Sequence, residues 1–306
     1  MKRAAVIVLA LLAGGCGFGP AEVQSGGSVT VTVSQDFGAE RLAPTLTEQA
    51  REGETVMRLL QRSFDVETRY GGGFVQEIDG VSGGRENGRR VDWFYYVNGI
   101  EAPQGSLDRK LYPGDRVWWD HHDWEVAMRV PAVVGSFPEP FRSGRLGKKL
   151  PVKLVCLAPE ERTCDEVETR MRDAGVGNVA RSNLESSVGE LLRIVVGPWR
   201  EVRKDIVARQ LEEGPEVSGV FARPEQAGDK IALLDVDGET VRELGAGGGL
   251  VAATSYQEYP PTWVITGTDD VGVAAAAATL TEDGLRYHFA LAVEQGRGVP
   301  LPVATP

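Results

Sequence analysis

The chain is short of the residues that most site chemistry is built on. Three histidines and three cysteines occur among 306 residues. That leaves little imidazole for a catalytic or multi-metal centre, and too few thiols for a disulfide-dense scaffold. Basic charge is scarce as well: 33 Lys and Arg stand against 44 Asp and Glu, a net charge of −11. Clustered cations are what bind phosphate backbones and anionic headgroups, so coating nucleic acid or adsorbing to an anionic membrane surface is excluded as the main task. The N-terminal apolar run, Ala4–Ala13, has ten residues, where a hydrocarbon core needs about 20. No nucleophile elbow, phosphate loop or dinucleotide fingerprint is read, and the expectation is that the protein is not an enzyme. What remains is ordinary globular material, 42% hydrophobic and 25% charged, enough for about two domains.

Met1-Lys2-Arg3, the apolar run and Gly14-Gly15-Cys16 follow the order of a secretory signal. Ala13-Gly-Gly-Cys16 resembles a bacterial lipobox. The resemblance implies cleavage after residue 15 and a diacylglyceryl group on Cys16, and two acyl chains suffice for stable anchoring. The predicted location is extracytoplasmic, on the outer face of the cell membrane, with residues 16–27 as anchor and tether. Cys156 and Cys164 are then an even pair in an exported chain, which favours a disulfide. It would join the end of a strand, Val152–Cys156, to the start of a helix. The alternative is a low-pKa thiolate at a helix N-terminus.

The fold class predicted is α+β. Residues 28–126 read as one unit: a strand at 28–33, a helix with Val56, Leu59 and Leu60 on one face and Thr55 as N-cap, then extended runs at 69–78, 92–97 and 116–119. Residues 127–150 read as a connector. Residues 151–225 carry two strand–helix–strand patterns (152–157, 164–174, 176–180; then 191–196, 199–213, 217–221), which suggest a small ferredoxin-like or similar α/β domain. Residues 226–306 form a C-terminal α/β region, continuous with 151–225 or separate, with a helix at 271–280 and a frayed tail from Val299. Gly245–Gly249 reads as a tight turn, and Thr268 or Asp269 as the cap of the helix that follows.

Eight aromatic residues lie between Trp93 and Trp124. Strand neighbours point to opposite faces, so Trp93, Tyr95 and Val97 share one face, Phe94 and Tyr96 the other, and Trp118 and Trp119 diverge. A sheet packed on one helix has a single core. The other aromatic set must meet a ligand, a partner or the C-terminal part. Asp120-His121-His122-Asp123 offers metal-ligand chemistry, but adjacent strand histidines face apart, and a polar strand end with one imidazole held by a carboxylate is preferred; no metal is expected.

The run Trp93-Phe-Tyr-Tyr-Val-Asn-Gly99, then Gly105, then Gly114-Asp115-Arg-Val-Trp-Trp119, preceded by Glu54-Thr-Val-Met-Arg-Leu-Leu60, resembles the C-terminal β-domain of the transcobalamin and intrinsic-factor proteins. A similar domain occurs in many bacterial surface lipoproteins. The resemblance covers about residues 28–124 and implies a β-grasp-like fold and corrinoid capture. The resulting expectation is a lipid-anchored protein that captures a small ligand, a corrinoid among the candidates, for a membrane transporter. Its ligand residues would be Trp93, Tyr95, Tyr96, Asn98, Trp118 and Trp119. The alternative is an envelope interaction or scaffold lipoprotein with no small ligand. No cofactor or nucleic-acid partner is expected.

Overall fold

The computed structural model describes residues 23–158, 161–184 and 189–304. Cys16 and its signal lie outside the described residues. The fold is α+β, with two seven-stranded sheets and two small three-stranded ones.

The first large sheet is built from the predicted N-terminal unit. Strand Val23–Gln35 lies beside Arg116–Asp123 in parallel, and Arg116–Asp123 pairs with Arg89–Val97 in antiparallel. The outer strands include Leu46–Arg51 and Gly84–Glu86. Helix Val56–Ser63 closes one face. Thr55 caps it, its hydroxyl accepting from the Arg58 amide at 3.4 Å, and Val56, Met57, Leu59 and Leu60 are buried. They meet Val29, Val31, Val33, Trp93, Val117 and Trp119 in one core. Within this unit the first strand and Arg116–Asp123 are adjacent and parallel, and one helix lies on the sheet.

The second large sheet takes strands from both parts of the C-terminal half, while Ala222–Pro224, Ile231–Leu234 and Thr240–Leu244 form one of the small sheets. The order of the large sheet is Val179–Ser182, Val152–Cys156, Leu192–Pro198, Thr262–Gly267, Gly249–Thr254, Ala290–Glu294, Arg297–Leu301. The first four are parallel and the last three antiparallel. Helices Glu161–Asp173 and Asp270–Ala278 pack on one face over Leu154, Ile194 and Ile265. The four central strands are apolar almost throughout because both faces are covered.

Two expectations fail here for physical reasons. The second strand–helix–strand unit does not form. Its helix breaks at Asp205, whose carboxylate pairs with Arg193 and accepts from the Val207 and Ala208 amides. This leaves only Trp199–Val202 and a 3-10 turn at Ala208–Glu213. The expected strand 217–221 is replaced by a helical turn, Pro215–Ser218, set between Gly214 and Gly219 at positive φ. The topology is therefore a mixed sheet rather than two ferredoxin-like halves. The connector 127–150 packs into the core: Ala127, Val130, Val133, Val134, Phe137 and Phe141 are buried. The tail is not frayed at its start, because Arg297–Leu301 pairs with Ala290–Glu294.

Candidate functional site

The aromatic strands obey the predicted alternation. Trp93, Val97 and Trp119 belong to the helix-side core, with Tyr95 packed against it. Tyr96 and Trp118 belong to another core, with Phe94 beside it. That second core includes Phe37, Phe221 and Phe289. The Phe289 ring stands edge-on to Tyr96, Trp118 and His122 at 5.2–5.4 Å. Of the three occupants left open for this face, a ligand, a partner or the C-terminal part, it is the C-terminal half that covers it. Tyr96 is 0% exposed and enclosed in this core, and Trp118, 3% exposed, packs edge-on to Phe289 in the same core, away from the cleft described below.

Asn98 is likewise committed. It sits at φ 56, donates to Asp115 Oδ1 at 2.8 Å and accepts the Arg116 amide at 2.8 Å. A further bond reaches the Gly144 carbonyl. The residue locks the turn to the next strand, and no polar group is left for a ligand. Asp115, buried beneath it, has its carboxyl raised above the usual range by that burial.

Three of the six predicted residues do come together. Trp93, Tyr95 and Trp119 line a cleft of about 200 Å³ with Phe74, Glu101 and Ser106. It opens between the hairpin strand Phe74–Ile78, the strand Arg89–Val97 and the loop that follows residue 101. Tyr95 and Trp119 lie 4.8 Å apart between ring centres. The Tyr95 hydroxyl donates to the Gln104 carbonyl, and burial pushes its phenol well above its ordinary pKa. It stays a neutral donor at any physiological pH. Burial also raises the Glu101 carboxyl, against the pull of Arg129 at 2.7 Å. Close to the cleft, Tyr70 is 87% exposed and stands edge-on to Phe74, and Leu107 is 43% exposed. Both sit in short connections whose backbone could not bury them: Tyr70 opens a 3-10 turn that ends in Gly71 and Gly72 at positive φ. Phe74, Tyr70 and Leu107 lie outside the dense aromatic run, so no local pattern marks them as candidates.

The two strand histidines face apart. His122 Nδ1 meets Asp120 Oδ1 at 2.8 Å and its ring stacks between Phe37 and Phe94. His121 turns to the other face, beside Trp93 and the Ser82 carbonyl. Asp120 also accepts from Ser34 Oγ at 2.5 Å and from the Phe37 and Gly38 amides. Serine and imidazole both reach the one carboxylate, and with the two amides the cluster anchors the turn at residues 36–39. Among the described residues no group of three His, Cys, Asp or Glu side chains is placed to hold a metal ion. Gly80-Val-Ser-Gly-Gly84 does carry the spacing of a nucleophile elbow, against the expectation that none is present. It lies in a hairpin with no helix after it, and Ser82 donates to Glu77. The Gly245–Gly249 run is no anion cradle either: Asp269 fills the helix N-terminus, accepting from Gly272 and Gly247. Cys156 and Cys164 are joined by a disulfide between strand end and helix.

No curated protein matches the chain. A solved structure from Ruminococcus gnavus, described as a "putative metal binding protein", aligns with 32% of this chain and 98% of its own at 14% identity, with a TM-score of 0.27. Over residues 53–123, which hold the helix, the hairpin and both aromatic strands, the sequence is similar to a family described as a domain of unknown function, DUF4430.

Proposed function

We propose that the protein is a lipid-anchored, extracytoplasmic binding protein that captures a small flat ligand at the aromatic cleft. One observation carries this reading. Within the segment similar to DUF4430, the cleft is walled by Phe74, Trp93, Tyr95 and Trp119, and the large apolar side chains of Tyr70 and Leu107 stand in solvent nearby. Exposed aromatic surface beside a concave aromatic wall is how ligand sites differ from ordinary surface. The cleft is smaller than the 300–1,000 Å³ usual for a drug-sized molecule. A ligand larger than one ring therefore sits across the mouth, with an edge inside and its body on Tyr70 and Leu107. A corrinoid, the ligand implied by the resemblance, has the flat shape for that pose. Anchoring through Cys16 would hold the cleft near a membrane transporter that receives the ligand.

A second reading rests on Tyr70. An aromatic residue this exposed, on a backbone at φ 53, suits a contact with another envelope protein. The two readings separate on one experiment. Cobinamide and cobalamin are titrated into the full chain in mild detergent, followed by tryptophan fluorescence and calorimetry. Saturable micromolar binding that Tyr95→Ala weakens supports capture. Failure to bind, with a protein partner lost on Tyr70→Ser, supports the second.

A further inference from the structure

Three connections meet at the end of the first sheet where strand Arg116–Asp123 begins. Residues 108–114 lead into that strand. Residues 142–149 fold into a turn against them: the Tyr112 ring lies 2.7 Å from where a Cβ on Gly147 would stand, and Ser143 Oγ lies 3.1 Å from the same point on Gly114. Residues 255–261 complete the group, the Glu258 carbonyl accepting from the Arg145 guanidinium at 3.2 Å. Together these connections hold six cations and two carboxylates. Arg109 pairs with buried Asp115, and Arg142 with buried Glu139. Lys110, Arg145, Lys148 and Lys149 form no ion pair among the described residues. Against the exposed Asp108 and Glu258 they leave a positive excess of two, on a chain of net charge −11.

Apolar side chains that the fold leaves in solvent are interleaved with these cations. Arg145 and Lys148 exchange backbone hydrogen bonds at 2.9 and 3.0 Å, so Leu146 and Gly147 form the tip of the turn, at φ 55 and 73. A two-residue turn with both φ positive ordinarily takes Asn or Gly. A leucine there is strained, and it is 40% exposed, so packing does not explain it. Tyr112, Tyr256 and Tyr259 are 37–40% exposed in the adjoining connections. Tyrosine and leucine set among lysines suit a lipid headgroup layer, where rings and aliphatic tips sit at the level of the headgroups and ammonium groups reach the phosphates. A soluble polyanion offers the charge without the apolar layer.

The first strand starts at this same end of the sheet. Gly27 lies against Pro113, the Gly114 amide donates to the Ser28 carbonyl at 2.8 Å, and Val23 pairs with Arg51. Cys16 is seven residues before Val23, a reach of at most about 25 Å. A bilayer that holds Cys16 therefore faces the end of the molecule that carries the basic turn, while anionic headgroups repel the rest of an acidic surface. We propose that the molecule stands on this end. The turn 142–149 rests on the anionic phospholipid surface to which Cys16 tethers the chain, with Leu146 in the headgroup layer and Lys148 and Lys149 on lipid phosphates. The proposal takes the Cys16 anchor from the reading above and is independent of the aromatic cleft. Each cation within a Debye length of an anionic surface adds about fivefold to the partition of the turn.

The test uses the full chain with Leu146→Cys carrying an environment-sensitive fluorophore, reconstituted in vesicles of phosphatidylcholine alone or mixed with phosphatidylglycerol. Flotation with the phosphatidylcholine vesicles reads the anchor, and the fluorophore emission reads the turn. The expected result is a blue shift in the mixed vesicles that is absent in phosphatidylcholine and reversed at about 1 M salt, where the Debye length falls to about 3 Å. Lys148→Gln combined with Lys149→Gln lowers the partition of the turn about 25-fold and removes most of the shift. Both lysines are exposed, so this variant folds. The same fluorophore at Val271→Cys, a position 69% exposed beyond the end of strand Thr262–Gly267 that is remote from residues 255–261, stays in water. A chain that floats with both vesicle types but shows no shift overturns the proposal and leaves the anchor standing. So does an equal shift in phosphatidylcholine, or a shift that survives the double substitution. A chain that floats with neither overturns the anchor and the proposal with it.

Discussion

Removing the hydroxyl of Tyr96 should stabilise the protein. Tyr96 is 0% exposed, and its hydroxyl is a buried donor with no partner among the described residues. Its ring meets Phe289 at 5.4 Å and Trp118 at 6.2 Å, so the oxygen is enclosed where the two halves pack. Leaving a buried hydroxyl unpaired costs about 1–3 kcal/mol. Tyr96→Phe removes that cost and keeps the ring, so little cavity penalty enters. The expected gain is about 1–2 kcal/mol, or roughly 2–4 °C in Tm at about 2 °C per kcal/mol for a chain of this size. The adjacent residue supplies the control of opposite sign. The Tyr95 hydroxyl donates to the Gln104 carbonyl, so Tyr95→Phe should cost about 0.5–1.5 kcal/mol. Urea unfolding followed by far-UV circular dichroism and by tryptophan fluorescence measures both variants. A destabilised Tyr96→Phe would refute the reasoning, since it would mean that the hydroxyl is hydrogen-bonded within the seam.

Other expectations follow from the same contacts. Phe289→Ala, at a ring that touches Phe37, Tyr96, Trp118 and His122, should cost about 3–5 kcal/mol. Limited proteolysis should then cut between the two halves more readily than in the parent. Replacing both Cys156 and Cys164 by Ala opens a loop with a sequence separation of 8, for a loss of about 2.5 kcal/mol from chain entropy; equilibrium unfolding reads it. Burial lowers the pKa of His288 and His121 below the ordinary 6.5. The unfolded chain then takes up protons that the fold does not. Their contribution to stability is complete above pH 6.5 and is lost as pH falls below it towards the folded values. His288→Gln should flatten the denaturation midpoint against pH in that window, and an unchanged slope would contradict the assignment.

Local features were legible in the sequence and long-range ones were not. The alternation of Trp93, Tyr95 and Val97 against Phe94 and Tyr96 follows from strand geometry alone, and so does the divergence of His121 from His122. The Thr55 cap and the amphipathic helix behind it are set by residues within one turn. What covers the second aromatic face is Phe289, almost two hundred residues further on, and no local pattern announces that contact. The same limit explains Asn98. Its sequence marks a turn, yet its partners Asp115 and Gly144 are supplied by other loops. The C-terminal topology escaped for a further reason. The helix expected at 199–213 has helical periodicity, but a buried ion pair between Arg193 and Asp205 overrides it. Half of the candidate site was found because Trp93, Tyr95 and Trp119 belong to one dense run. Phe74, Tyr70 and Leu107 complete it only through folding of the hairpin.

The most direct test of the account is titration of cobinamide into the full chain and its Tyr95→Ala and Tyr96→Phe variants, read by tryptophan fluorescence. Capture at the aromatic cleft predicts saturable micromolar binding that Tyr95→Ala weakens at least tenfold, about 1.4 kcal/mol, and that Tyr96→Phe leaves unchanged. Absence of binding at high micromolar concentration, or equal affinity in the parent and Tyr95→Ala, would contradict it.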